Sequence, residues 1–358
     1  MTGPAKAENR KSLFLRACRS QPVGRVPVWM MRQAGRYLPE YRAVRQRYPF
    51  LEVCKTPELA VEVSLQPYHA LGVDAVIVFS DILIPAEAMG MALELTDAGP
   101  VLPDPIREQT QVNALREFDP EVETRFVGDA IRQLCGALGP DVPVIGFAAA
   151  PWTLACYMVE GQTKDGFSAA KKLLYQDPHL FRALLEKIAR VTAAYLRSQI
   201  AAGAAAVQLF DTWAGELSRG DYLAFALPAT QLLIAELNAG SIPVILYTKA
   251  SAHLLRHVAE AGADVLSVDW RVDLAEVRQQ LGGRFALQGN VDPCVLLGTQ
   301  EGIREAVRNA IEKTSGLGHI LNLGHGIFPS TPVENASTFV EAGQTAPLPT
   351  RTPLSRAD

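Results

Sequence analysis

The chain has 358 residues, a formal net charge of -4 and a pI near 5.9. That acidic balance, with no long basic stripe interleaved with aromatics, argues against nucleic acid as a partner. No apolar run approaches the roughly 18 residues that cross a bilayer, while an apolar fraction of 48% supplies a large core.

Residues 1–10 are expected to be flexible, and Met1–Ser20 lacks a long apolar segment followed by a small-residue cleavage site, so a cytoplasmic protein is expected. The five cysteines, Cys18, Cys54, Cys135, Cys156 and Cys294, are scattered singly. With no C-x-x-C pair and no histidine at ligand spacing, they read as buried free thiols, and no metal is expected.

The first candidate strand, Val26 to Met30, opens into a stretch with an unusual charge pattern. Arg25–Arg47 holds six arginines, no lysine and one acid, Glu40. A guanidinium grips carboxylate or phosphate oxygens two at a time, so this composition points to oriented recognition of an anion. Arg32 and Arg36 flank Gln33, Ala34 and Gly35 where the strand should end in a loop, a place that carries function. Pro39 interrupts any helix there, and Arg42, Arg45 and Arg47 follow in a segment read as surface.

Further short apolar runs follow at Asp74–Phe79, Val142–Ala148, Ala205–Phe210, Ile242–Tyr247, Asp264–Val268, Arg284–Gln288 and His319–Leu323. They lack strict polar alternation, as strands covered on both faces do. Amphipathic stretches separate them: Pro57–Leu71, Pro120–Leu138, Pro178–Ala202, Asp221–Asn238, Ser251–Ala261, Leu274–Leu281 and Thr299–Ser315. Gly72, Gly203 and Gly262 stand where helices should stop. The alternation predicts an α/β fold, a single (β/α)8 TIM barrel over residues 11–342. No G-x-G-x-x-G turn supports an open doubly wound sheet instead. Gly90–Asp119 is an inserted excursion between the second and third strands, read as a hairpin or lid, and 343–358 is a flexible tail.

In such a barrel the reactive groups gather at the carboxyl ends of the strands. Those positions hold Arg32 and Arg36, then Ser80-Asp81, Pro151-Trp152 with Tyr157, Asp211-Thr212-Trp213, Tyr247 and Thr248, Asp269-Trp270, Asn290 with Asp292, and His325. Asp81 has apolar neighbours on both sides, where a lone carboxylate needs donors; it can equally cap a helix or pair with an arginine. Asp211, Asp269 and Asp292 favour a structural reading. His325 sits between glycines, as a base, a carboxylate partner or a packed ring, while His69, His179, His253, His257 and His319 read as structural.

Assembled, these motifs resemble the uroporphyrinogen decarboxylase family: PVWMMRQAGRYLPEYR at 27–42, FSDIL at 79–83, APWTLACYM from Ala150, FDTWAG at 210–215 and NLGHGI at 322–327. The resemblance covers about Pro27 to Val340. It implies a TIM barrel, usually a homodimer, that converts the acetates of uroporphyrinogen to methyls for haem without metal or organic cofactor. Carried over by motif, Arg32, Gln33, Ala34, Gly35 and Arg36 line the substrate loop, and Asp81, Tyr157, Thr212 and His325 complete the cleft. Phe50 is carried over from a less distinctive stretch. Thr212 keeps the hydroxyl of a position that is Ser or Thr in the family.

On that resemblance Asp81 stabilises a cationic transition state beneath the macrocycle, while Arg32, Arg36, Tyr157, Thr212 and His325 orient the carboxylates. The proton donor stays open between Arg32, whose guanidinium demands an unusual setting, solvent and a neighbouring acid. A zinc-dependent methyltransferase of the same superfamily is the nearest alternative, but LYTKA at 246–250 and LGHGI at 323–327 contain no cysteine. A non-catalytic tetrapyrrole carrier is disfavoured by Asp81, which would oppose a polyanion.

Overall fold

The computed structural model describes residues 9–96, 99–162 and 165–349. Among them the strands are β1 (Val76–Ile77), β2 (Glu94–Thr96), β3 (Gly99–Val101), β4 (Val144–Ala149), β5 (Ala206–Asp211), β6 (Val244–Thr248), β7 (Val265–Val268), β8 (Ala286–Val291) and β9 (His319–Leu323). A curled parallel sheet of seven runs β1-β4-β5-β6-β7-β8-β9, a TIM-barrel-like arrangement. Every strand from β4 to β9 is buried along nearly its whole length, because helices cover the outside and side chains fill the inside.

The segment expected as a first strand, Val26–Met30, is reduced to a single parallel bridge between Val28 and Leu321. Several backbone donors in and just after it are taken by side chains rather than by neighbouring strands. Asp74 accepts from Val28 N, Gln33 Oε1 from Met30 N and Asn322 Oδ1 from Met31 N. The segment still lies between both ends of the sheet: Trp29 N donates to Leu321 O, and Asp74 N donates to Val28 O at 2.7 Å. The expected strand Asp74–Phe79 is likewise shortened, since the Ser64 hydroxyl accepts from Phe79 N.

Inside the curl, near the amino ends of the strands, Ile145, Ala206, Ile245, Val265, Ala286 and Ile320 meet Trp29 and Ala75. Leu13, Phe14, Ala17 and Cys18 of the helix Arg10–Cys18 close this layer from below. Each large aliphatic side chain so buried contributes about 1.5–3 kcal/mol. Above lies a polar layer: Trp29 Nε1 donates to Gln288 Oε1, and Gln288 Nε2 donates to Gln208 Oε1 and Ser267 Oγ. The inside of the curl is therefore a packed plug at this end.

Asp74 ties the lower rim. Its fully buried carboxylate takes both Arg25 nitrogens at 2.6 and 2.7 Å, with Arg10 at 3.4 Å and Gln344 of the last helix, Val333–Thr345, at 3.4 Å. That helix runs past residue 342, and Leu348 still packs against the core, whereas 1–8 and 350–358 lie outside the described residues.

Gly72 and Gly262 end their helices at φ 71° and 95°, as their positions led one to expect. The stretch Asp221–Asn238 departs from a simple helix: Tyr222–Ala226 forms a π turn before the α-helix Leu227–Leu237. Pro228 has no N–H to continue an α ladder, which favours the wider turn. Within Gly90–Asp119, β2 and β3 pair antiparallel, and Leu102 N and Ile106 N donate to Gly161 O and Met158 O. This segment thus braces the end of the helix Pro151–Glu160, which carries Tyr157. Cys18, Cys54 and Cys156 are buried free thiols, but Cys135 is only half-buried and Cys294 is exposed.

Candidate active site

Arg32 takes a left-handed backbone conformation, φ 60°, that costs a non-glycine residue roughly 1–2 kcal/mol. The surroundings hold it there. Met31 N donates to Asn322 Oδ1 at 2.9 Å, Ile327 N donates to Met31 O at 3.0 Å, and Gln33 N returns to Met30 O. These bonds sew the first loop to the loop after β9, and the Arg32 side chain lies on Gly326. A Cβ there would sit 2.7 Å from Arg32 Cγ and 2.9 Å from Nε. Gly35 has a related reason, since its Cβ would meet the Arg32 carbonyl oxygen at 3.0 Å.

The six arginines of Arg25–Arg47 separate by role. Arg25 belongs to the Asp74 cluster, Arg42 donates to Arg36 O and Tyr37 O, Arg45 covers the Phe50 ring, and Arg47 covers Tyr48. Arg32 and Arg36 are exposed, and no ion pair engages either guanidinium among the described residues. Gln33 is fully buried; its amide binds Met30 N and the Ala75 carbonyl, so it braces the loop. Ala34 packs half-buried against the core. Phe50 stands edge-on to Phe79, two residues before Asp81, at 5.6 Å.

Asp81 follows β1. Its Oδ1 accepts from Leu83 N at 2.8 Å. Burial pushes its carboxyl above the ordinary value; the Leu83 N–H and the Arg32 guanidinium pull it back towards the anion, and Glu87 opposes them. The Arg32 guanidinium thus reaches Asp81 electrostatically from the first loop without forming an ion pair with it.

On the next side, the helix Pro151–Glu160 pins the loop after β5. Trp152 Nε1 donates to Trp213 O at 2.8 Å, and the Thr153 hydroxyl donates to Asp211 Oδ1 at 2.7 Å while accepting from Trp213 N. Thr212 lies half-buried inside this fixed loop. The Tyr157 ring meets the Trp213 ring at 6.4 Å, and Phe167 packs on its neighbour Trp213 at 4.8 Å. Asp211 is fully enclosed and pushed up to about 7 by burial, with only Thr153 opposing the shift; its Oδ2 has no partner. The structural reading of Asp211 is the one its bonds support.

Near the end of β6 lies Tyr247, and beyond β6, β7 and β9 lie Lys249, Asp269, Arg271 and His325. Tyr247 Oη is 3.0 Å from His325 Nδ1, with the two rings stacked. Burial, then Arg32, Lys249 and Arg271, lower His325 to about 3, so the ring is neutral near pH 7. Buried Asp269 pairs with Arg271 and accepts from Ala250 N. Asp292 caps Cys294 N, and His319 is a core group held by Thr314 and Gly289. Lys249 and Arg271 were not singled out from sequence. The signal is there, since Lys249 directly follows β6 and stands next to Tyr247 and Thr248, which the sequence already marks as strand-end polar residues.

The structure therefore brings Arg32, Asp81 and His325 into one electrostatic neighbourhood, with Lys249 and Arg271 added to it. Tyr157 and Thr212 border it through the Trp213 loop, while Arg36 and Phe50 stand on the adjoining segment. The chain matches the family described as Uroporphyrinogen decarboxylase (URO-D) over residues 9–346. It belongs to the uroporphyrinogen decarboxylase family. It is 52% identical over 334 residues to the uroporphyrinogen decarboxylase of Gloeobacter violaceus, covering 92% of this chain and 96% of that protein. The Pelobacter propionicus enzyme of the same name is 52% identical over 332 residues, covering 92% and 97%. The fold is shared more widely. A methyltransferase from Methanosarcina mazei superposes with a TM-score of 0.81 at 24% identity, over 94% of this chain and 98% of that one. A B12-independent methionine synthase from Shewanella gives 0.56 at 12% identity, over 90% and 95%. The five motifs read from the sequence fall at the carboxyl ends of strands, on the loops that follow them and on the helix Pro151–Glu160, around these groups. Among the described residues no three His, Cys, Asp or Glu side chains gather as a metal site, and no helix is long and apolar enough to cross a membrane.

Proposed function

We propose that this chain is a uroporphyrinogen decarboxylase that removes carbon dioxide from the four acetate side chains of uroporphyrinogen III, giving coproporphyrinogen III, with no metal or organic cofactor. The observation that carries the reading is a half-buried carboxylate, Asp81, held by Leu83 N and lying within the electrostatic reach of exposed Arg32, with no ion pair joining Arg32 to a carboxylate among the described residues. The substrate is a flat ring with pyrrole N–H donors at its centre and carboxylates at its rim, and that arrangement answers both. Asp81 Oδ1 is held by Leu83 N, and no hydrogen bond or ion pair engages Oδ2 among the described residues, so it can accept from pyrrole nitrogens. Arg32 and Arg36 bind rim carboxylates, and Tyr157 and Thr212 supply hydroxyls beside them.

Protonation of a pyrrole carbon next to the acetate arm makes the ring a cation. The bond to the carboxylate then breaks, its electron pair neutralises that cation, and carbon dioxide leaves. A second proton on the exocyclic methylene completes the methyl, and loss of the first proton from the ring carbon restores the neutral pyrrole. Asp81 beneath the ring stabilises the cation, and preorganised charge of this kind contributes several kcal/mol. Neutral His325, with Nδ1 taken by Tyr247, can only accept at Nε2, which suits a ring N–H or a protonated rim carboxyl, and it gains a proton only against three neighbouring cations.

The same reading takes the chain as a single (β/α)8 barrel over residues 11–342 with Val28 as its reduced first strand and Gly90–Asp119 as an inserted excursion. It also takes the protein as a cytoplasmic homodimer with neither nucleic acid nor membrane as partner. Purified protein given uroporphyrinogen anaerobically should release carbon dioxide without additives, and an absolute requirement for zinc would refute the proposal. Asp81→Asn keeps an acceptor for Leu83 N and should fold, with turnover reduced on the order of 10²-fold or more. Near-normal turnover would remove Asp81 from the chemistry.

A further inference from the structure

Lys249 directly follows β6, between the loop of Thr212 and Trp213 on one side and Asp269 on the other. Its ammonium lies over the Trp213 ring, 5.3 Å from the centroid, and Trp213 also meets the Tyr157 ring. The lysine is half-buried, yet no carboxylate comes within ion-pair range of it among the described residues. Asp269 is committed to Arg271 and to Ala250 N, and Glu216 is exposed and attracts Lys249 only from a distance.

A half-buried ammonium that rests on an aromatic face without a counter-ion has a free charge aimed where its neighbours leave room. We propose that Lys249 is a further carboxylate-binding residue of the cleft, taking a rim carboxylate of the same tetrapyrrole that Arg32 and Arg36 grip. The inference rests on the decarboxylase reading given above and deepens it. Electrostatics agree: burial first, then Arg271 and Arg32, make the Lys249 charge harder to keep in the empty site, and Lys249 in turn disfavours a charge on His325. An incoming carboxylate relieves this repulsion among like charges. The Trp213 ring limits the directions the flexible lysine stem can take, so the ammonium is held ready before substrate arrives.

The test is a fluorescence titration of the full-length protein with uroporphyrin III, the oxidised ring that cannot be turned over, alongside steady-state decarboxylation of uroporphyrinogen. Lys249→Met keeps the length of the side chain and removes its charge. It should weaken uroporphyrin binding roughly tenfold and raise KM by a similar factor with kcat little changed, as expected when a charged contact is lost equally from ground and transition states. Lys249→Arg should recover most of the affinity. Unchanged affinity in Lys249→Met, with thermal unfolding like that of the unaltered protein, would overturn the inference while leaving the decarboxylase reading intact. If the unaltered protein neither binds uroporphyrin nor releases carbon dioxide, the parent reading fails and takes this one with it. Equal loss in the Met and Arg variants would also count against a carboxylate contact, because it would mark a packing role.

Discussion

Tyr247 fixes the tautomer of His325. Its hydroxyl lies 2.9 Å from the Gly324 carbonyl oxygen and 3.0 Å from His325 Nδ1, and the two rings lie parallel within 6°. A phenol has one proton, and a carbonyl can only accept it. The hydroxyl therefore donates to Gly324 O and accepts from Nδ1–H, which leaves Nε2 as the bare nitrogen of a neutral ring.

Tyr247→Phe should release that choice. Nitrogen NMR of the imidazole near pH 7 should find Nδ1 protonated in the unaltered protein and a mixture in the variant, with about 1 kcal/mol of stability lost through Gly324 O. A spectrum of the unaltered protein with the proton on Nε2 would refute the assignment.

Gly326→Ala tests the seat of Arg32. The glycine backbone is open to alanine, since its φ is not among the positive ones, so the whole cost falls on the arginine stem. The fold should persist while Arg32 is displaced, and kcat/KM should drop on the order of 10²-fold, the scale of an ångström-level misplacement. Unaltered kinetics would mean that Arg32 has room to spare and is not held by this contact.

Asp211 makes stability fall with rising pH. Its folded value is raised to about 7 from an ordinary 3.8, so between those limits the unfolded chain has released a proton that the folded chain keeps. The protonated form's contribution is complete below pH 4 and is lost by pH 7. Asp211→Asn retains an acceptor for the Thr153 hydroxyl and cannot ionise. Its urea midpoint should gain on the unaltered protein from pH 4 to 7 and level off above; a constant difference across that range would show that Asp211 does not titrate there.

Asp74→Ala should cost about 3 kcal/mol, the lower end for removing one partner of a buried ion pair, because Arg10 and Arg25 remain partly open to water. Denaturant unfolding measures this directly. A loss under about 1 kcal/mol would mean that the join between the first helix, the Val28 segment and the last helix does not depend on this carboxylate.

The alternation of apolar runs and amphipathic stretches, and the glycines that end them, suffice to specify the parallel sheet. β4 to β9 begin and end within a few residues of the expected runs, because each depends on local burial that periodicity records. Arg32, Asp81, Thr212 and His325 were legible for the same reason, as polar residues directly beyond apolar runs. What local pattern could not decide is where a side chain replaces the backbone as hydrogen-bonding partner. Val26–Met30 reads as a strand, yet Asp74 from farther along the chain takes the Val28 donor, nearby Gln33 takes that of Met30, and distant Asn322 takes that of the next residue, Met31. Gln33 shares a motif with Arg32 but turns inward to Ala75, and Lys249 gains its meaning only when Trp213 from another strand lies beneath it. Sequence determined which groups stand at the strand ends; tertiary structure decided which of them keep a free charge, since that depends on partners distant in the chain.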